Sequence, residues 1–269
     1  MHTLTGTNCY LIGTGSKRIL VDTGEGIEGF VDLLREVMHA VGCDDLESIV
    51  LTHWHADHVG GVNDICRSLG KAVPVFKRRG PRKESFSYCN IEDGQVFTTQ
   101  GGTIEAVYTP GHTEDHVAFI LREERALLCG DMILGCGTAV FDDFTSYMSS
   151  LDRVLRLCGN TTAIGQGLTR IYPGHGPVVE DAEEKIKYYI THRRERENQI
   201  LETLMSANGS AVSTFQITSV VYGDLPLPVM VSAHYNVMHH MSKLLSEGKV
   251  KRTFLPMSFV DARGATKQQ

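Results

Sequence analysis

The chain has 269 residues, 42% of them hydrophobic and 22% charged, with a formal net charge of −6. That balance fits one large globular domain, or a large and a small one, and excludes a chain whose whole surface attracts nucleic acid. No run of about 18 apolar residues occurs, so neither a membrane span nor a membrane partner is expected.

Thr7 to Gly13 reads as a strand, and Arg18 to Val21 as a buried strand ending in Asp22-Thr23-Gly24. Ile27 to Val41 places Ile27, Phe30, Val31, Leu34, Val37, Met38 and Val41 at a helical period. Ser48 to Thr52 is a short buried strand. It delivers His53-Trp54-His55-Ala56-Asp57-His58, three imidazoles and a carboxylate in one turn of chain. Neutral imidazole nitrogen and carboxylate oxygen are the ligands that a zinc-like ion prefers. Four such groups so close exceed what one structural zinc needs in a compact turn; they suit two ions with room left for water.

Gly61 to Leu69 begins the next helix, Lys71 to Phe76 is a strand, and Pro81 to Asn90 is a polar loop. Three strand-like stretches follow: Thr103 to Tyr108, Ala126 to Leu128 and Arg170 to Tyr172. Just past each stands one more ligand type beside glycine: His112, Asp131 and His175. Glycine lets the backbone turn sharply and approach a ligand closely. Asp115 and His116 are expected near the site without being ligands. Histidines such as His39, His192, His234, His239 and His240 lack ligand spacing; adjacent residues on a helix point about 100° apart. Tyr147 to Leu157 is helical.

From Thr7 to Pro177 the residues resemble the metallo-β-lactamase superfamily, whose H-x-H-x-D-H signature stands here as His53, His55, Asp57 and His58. The resemblance implies a four-layer αββα sandwich over residues 1–179. It implies two zinc ions, with manganese or iron as alternatives. One ion takes His53, His55 and His112, the other Asp57, His58 and His175, and Asp131 bridges them. Asp22 would sit behind the ligands and orient a histidine, or else form an Asx turn at its strand end. Members carry another strand ahead of Thr7, which is expected to be missing here: either this is a shortened form, or the sheet edge is open and in need of protection.

Residues 180–269 change character. Glu180 to Met205 reads as a long charged helix, Ser213 to Tyr222 and Met230 to Glu247 as two more, and Lys249 to Leu255 as a small wing. A winged-helix-like tail behind this domain resembles the beta-lactamase-like protein 2 family, described as mitochondrial endoribonucleases acting on single-stranded RNA. The resemblance implies phosphodiester hydrolysis of single-stranded RNA by a dizinc-bound hydroxide, with Asp57 catalytic and no DNA specificity. RNA contacts are expected at Arg193, Arg194, Lys243, Lys249, Lys251 and Arg252. Seven scattered cysteines without a C-x-x-C pair point to a reducing intracellular compartment. The resemblance implies the mitochondrial matrix; the lack of a visible targeting segment leaves the cytosol open. A glyoxalase II-like thioester hydrolase, which uses the same ligands, is the alternative.

Overall fold

The first sheet and its helices come from β1 (Tyr10–Ile12), β2 (Lys17–Val21), α1 (Phe30–Ala40), β3 (Asp45–Val50), α2 (Ala56–Val59), α3 (Val62–Leu69), β4 (Val75–Lys77) and β5 (Cys89–Asn90). The second comprises β6 (Val96–Thr99), β7 (Gly102–Tyr108), β8 (Val117–Leu121), β9 (Ala126–Gly130), α4 (Phe144–Gly159) and β10 (Arg170–Pro173). The remainder is α5 (Ala182–Ser206), β11 (Val212–Ser213), α6 (Thr214–Tyr222), α7 (Leu227–Ser246), β12 (Val250–Arg252) and β13 (Ser258–Asp261). The computed structural model describes residues 6–159, 167–253 and 257–262.

The first sheet has the order β1-β2-β3-β4-β5 and the second β10-β9-β8-β7-β6. Strand side chains alternate between faces, and here both faces are covered. Ile19 and Val21 point between the sheets, whereas Leu20 packs on Leu34 and Met38 of α1 and Val62 and Ile65 of α3. In β8, Phe119 points between the sheets while Ala118 and Ile120 face α4 and α5. Double coverage explains why these strands read as unbroken apolar runs. The result is the helix–sheet–sheet–helix sandwich that the resemblance implied.

Several elements differ from the sequence reading. The strand expected at Lys71 to Phe76 narrows to β4, because Pro74 has no N–H to give a ladder. Strands β5, β6 and β8 were not expected. Helix α7 starts at Leu227 rather than Met230; Pro228 sits in its first turn, where a missing N–H costs nothing. Within the described residues β1 is an edge strand of only three residues, short enough to offer little to a stray chain.

The C-terminal part has its own core: Ile217, Val237, Met241, Leu244, Val250 and Phe259 close on Ile200 and Leu204 of α5. The small sheet β11-β13-β12 lies beside α6 and α7, a winged helix. Phe254 and Leu255 of the expected wing lie outside the described residues. The other half of α5 sends Ile186, Tyr189 and Ile190 into the core beneath the second sheet, so one helix serves two cores.

Candidate metal centre

Four strand ends converge on the cluster. After β3 the chain turns into α2, where the His55 carbonyl accepts from the amides of His58 (2.9 Å) and Val59 (3.1 Å). The loops after β7, β9 and β10 bring in His112, Asp131 and His175. A β-carbon on Gly174 would stand 2.5 Å from Asp131 Oδ1, so only glycine lets this loop close on the carboxylate. All seven sequence-predicted residues meet in two groups, His53, His55, His112 and Asp131, and Asp57, His58, Asp131 and His175. The donor atoms of each group lie within 4.8 Å of one another. Asp131 belongs to both.

The outer nitrogen of four histidines is tied down. His58 Nδ1 donates to Asp22 Oδ2 at 2.7 Å, His112 Nδ1 to the Val140 carbonyl at 2.8 Å, and His175 Nδ1 to the Gly6 carbonyl at 2.9 Å. Thr52 Oγ1 gives its proton to Asp22 Oδ2 (2.9 Å), so it accepts from His53 Nδ1 (2.9 Å). Each ring is thereby oriented with Nε2 facing inward. Asp22, buried at φ 59°, thus orients His58 directly and His53 through Thr52, and the Asx-turn alternative is not needed.

Inward nitrogens crowd one another. His55 Nδ1 lies 2.9 Å from His53 Nε2 and 3.1 Å from His112 Nε2. His58 Nε2 and Asp131 Oδ1 are buried without hydrogen-bond partners and stand 3.3 Å apart. Buried polar atoms are rarely left so. Facing imidazole nitrogens and an orphaned carboxylate oxygen are the donor set that divalent cations bind, so the residues fit a metal pair.

Electrostatics divides the site. Burial, and then the neighbouring histidines, push His53 well down and His55 to about 4, so these two rings are neutral at pH 7. Burial lowers His58 and His175 too, but Asp22 and Asp131 raise His58, and Asp131 and Asp57 carry His175 to about 10. Burial raises Asp57, yet its bonds to His175 and His58 hold it far below the usual carboxylate range. The carboxylate side therefore attracts positive charge, and a metal ion there displaces protons.

Sequence reasoning missed the brace formed by residues 6 to 8. Thr7 Oγ1 donates to Asp57 Oδ2 at 3.0 Å, and Asn8 Nδ2 reaches the carbonyls of Pro173 (3.0 Å) and Gly176 (2.9 Å). Polar residues ahead of the first strand were the only signal. His116 and Asp115 stand outside both candidate donor groups. Asp115 pairs with buried Lys77 at 2.6 Å, and His116 Nδ1 meets Thr109 Oγ1 at 2.8 Å.

Residues 2–175 match the family model of the metallo-beta-lactamase superfamily. The chain belongs to the metallo-β-lactamase superfamily. Residues 213–254 match the beta-lactamase associated winged helix domain. A beta-lactamase-like protein 2 homolog of Caenorhabditis elegans is 41% identical over 93% of this chain and 82% of that protein. An atrochrysone carboxyl ACP thioesterase of Aspergillus novofumigatus is 38% identical over 82% of this chain and 67% of that protein. A metallo-beta-lactamase family protein of Thermus thermophilus shares the fold, with TM-score 0.73 at 21% identity over 95% of this chain and 93% of that one.

Within this superfamily member, the tail residues expected to touch RNA divide. Arg193 is fully buried: its guanidinium lies over Phe141 (4.9 Å) and Tyr147 (5.6 Å) and bonds the Ala139 carbonyl. It braces the loop before α4 and is no RNA contact. Lys243 is mostly covered and held by Glu197 at 2.7 Å and Glu247 at 3.1 Å, so it too is withdrawn. Lys249 pairs with Glu247 at 2.8 Å. Arg194, Lys251 and Arg252 are exposed. All seven cysteines are free, and no helix among the described residues is long and apolar enough to cross a membrane.

Burial, then repulsion from His112, lowers His116 from 6.5 to about 3. The unfolded chain takes up that proton below pH 6.5 while the fold refuses it, so stability falls as pH falls from about 6.5 toward 3. The loss is about 1.4 kcal/mol per pH unit, roughly 2 kcal/mol between pH 6.5 and 5. The His116→Gln variant should lose correspondingly less over that interval in urea unfolding. An unchanged pH slope would show that His116 does not carry the effect.

Proposed function

We propose that this protein is a metal-dependent endoribonuclease that hydrolyses phosphodiester bonds of single-stranded RNA. What carries the reading is the pair of donor groups joined through Asp131, a site built for charge at a phosphoryl centre, in a chain that also bears a winged helix. The beta-lactamase-like protein 2 relationship supports it. Two zinc ions, held by the two groups, supply Lewis acidity and a water activated near neutral pH.

The chain's own residues do the rest. Asp22 and Thr52 fix the rings of His58 and His53, so no reorganisation is needed during the reaction. Asp57, kept ionised by His175 and His58 and oriented by Thr7, steers the proton of the attacking water without capturing it. Attack by water in line leaves 5′-phosphate and 3′-hydroxyl ends. The exposed Arg194, Lys251 and Arg252 offer phosphate contacts away from the site.

The thioester alternative is favoured by one finding, the 38% identity to an ACP thioesterase. Its chemistry needs the same donors. Cleavage of an end-labelled single-stranded RNA separates the two. Zinc-loaded protein should cut internally, leave DNA of the same sequence intact, and lose at least about a thousandfold in rate in the Asp57→Ala, His58→Ala variant. Ends bearing 2′,3′-cyclic phosphate would exclude water as nucleophile. Intact RNA together with hydrolysis of an acyl thioester would replace the nuclease reading.

A further inference from the structure

A cleft of about 540 Å³ opens beside the metal centre, and neither the ligand motifs nor the tail accounts for it. Trp54, the chain's only tryptophan, stands between His53 and His55 and lines it. Its ring meets His55 edge-on, 4.3 Å between centroids, and the Arg82 guanidinium lies 3.6 Å from its own centroid. Arg82 thus forms one wall two ring contacts from a candidate ligand. Glu114, Asp142 and Asp143 form the other.

The loop that carries Arg82 is fixed. Lys77 is buried on Asp115, and a β-carbon on Gly80 would press 2.9 Å from the Asp115 side chain. The Arg79 amide donates to Asn90 Oδ1 at 2.7 Å. Arg78 is engaged by Tyr108, 3.8 Å from the ring centroid, and by the Ile91 carbonyl. Arg82 is different: it is exposed, and among the described residues no carboxylate pairs with it. A guanidinium held over an indole at this distance has its N–H fork confined in direction, a preorganised anion receptor.

On the nuclease reading, we propose that this cleft holds the nucleotide flanking the scissile phosphate. Arg82, positioned by Trp54, binds its phosphate. The three carboxylates repel a second phosphate and accept N–H groups of the base. An exocyclic amine offers two N–H groups to share among these carboxylates where uracil offers only its ring N3–H, so amine-bearing bases are preferred to uracil.

Trp54 reports on its own cleft. Zinc-loaded protein is titrated with cytidine 5′-monophosphate, uridine 5′-monophosphate and inorganic phosphate, following tryptophan emission. Cytidine monophosphate should change it saturably and more tightly than the uridine nucleotide. Arg82→Ala should weaken that binding about tenfold, the loss of one charge-assisted contact. Arg82→Lys should restore part of it. In RNA cleavage, Arg82→Ala should raise KM about tenfold and change kcat less than about threefold. Metal content should stay unchanged.

Equal affinity of wild type and Arg82→Ala for cytidine monophosphate overturns the proposal, as does a cleavage KM unmoved by the substitution. Wild type inert on RNA overturns the nuclease reading instead.

Discussion

Asp131→Ala is expected to lower bound metal from two ions per chain to at most one and to abolish hydrolysis to within about a thousandth of wild type. Asp131 is the one residue common to both donor groups, and its Oδ1 is a buried oxygen without a hydrogen bond. Its Oδ2 stands 3.3 Å from His175 Nε2 and 3.7 Å from His112 Nε2, one on either side of the site. Among the described residues no other carboxylate belongs to both groups, so no other would join two ions in its place. A ligand at about a thousand times its Kd adds about 4 kcal/mol of stability. At 2–4 °C per kcal/mol that is a rise of roughly 10 °C in Tm on zinc addition. The variant should lose most of that rise. Elemental analysis and thermal melts with and without chelator check both. Two tightly held ions in the variant would mean that Asp131 bridges nothing.

The second large effect is expected at Asp22. Its carboxylate accepts from the Thr52 amide (2.8 Å), Thr52 Oγ1 (2.9 Å) and His58 Nδ1 (2.7 Å), all buried. Asp22→Ala leaves these donors unsatisfied, at a cost of about 3–5 kcal/mol. Alanine is also strained at the positive φ there by about 1–2 kcal/mol. Because His58 and His53 lose their orientation, zinc affinity should fall about 10- to 100-fold. Asp22→Asn tolerates the backbone and keeps one acceptor, so it should fall between. Urea unfolding and zinc competition with a chelator read the two effects separately. Alanine that leaves both untouched would reduce Asp22 to a turn residue.

The candidate ligands were legible because each announces itself locally. Four lie in one turn of chain, and the other three each follow a strand and abut glycine. The metallo-β-lactamase sandwich followed from the resemblance that the same motifs carry. What the ligands rest on was less legible. Thr7 and Asn8 act on residues far along the chain, and no local pattern marks such a contact. Arg193 reads as solvated because its neighbours His192, Arg194, Glu195 and Arg196 are polar. Its burial is set by Phe141 and Tyr147, which only the fold brings near. Strand β8 is apolar throughout, with no alternation to announce it. Arg82 looked like part of a polar loop; its guanidinium acquires a direction only from Trp54.

Helix α5 has a consequence for descent. Its first half anchors the loop after Asp131: the Tyr189 hydroxyl accepts from the Leu134 amide and donates to the Gly137 carbonyl. Its second half is part of the winged-helix core. A different tail joined at this seam would therefore have to keep the first half of the helix. An exchange of the whole helix would remove a wall of the sandwich, so freedom to vary is expected to begin only beyond Ile190.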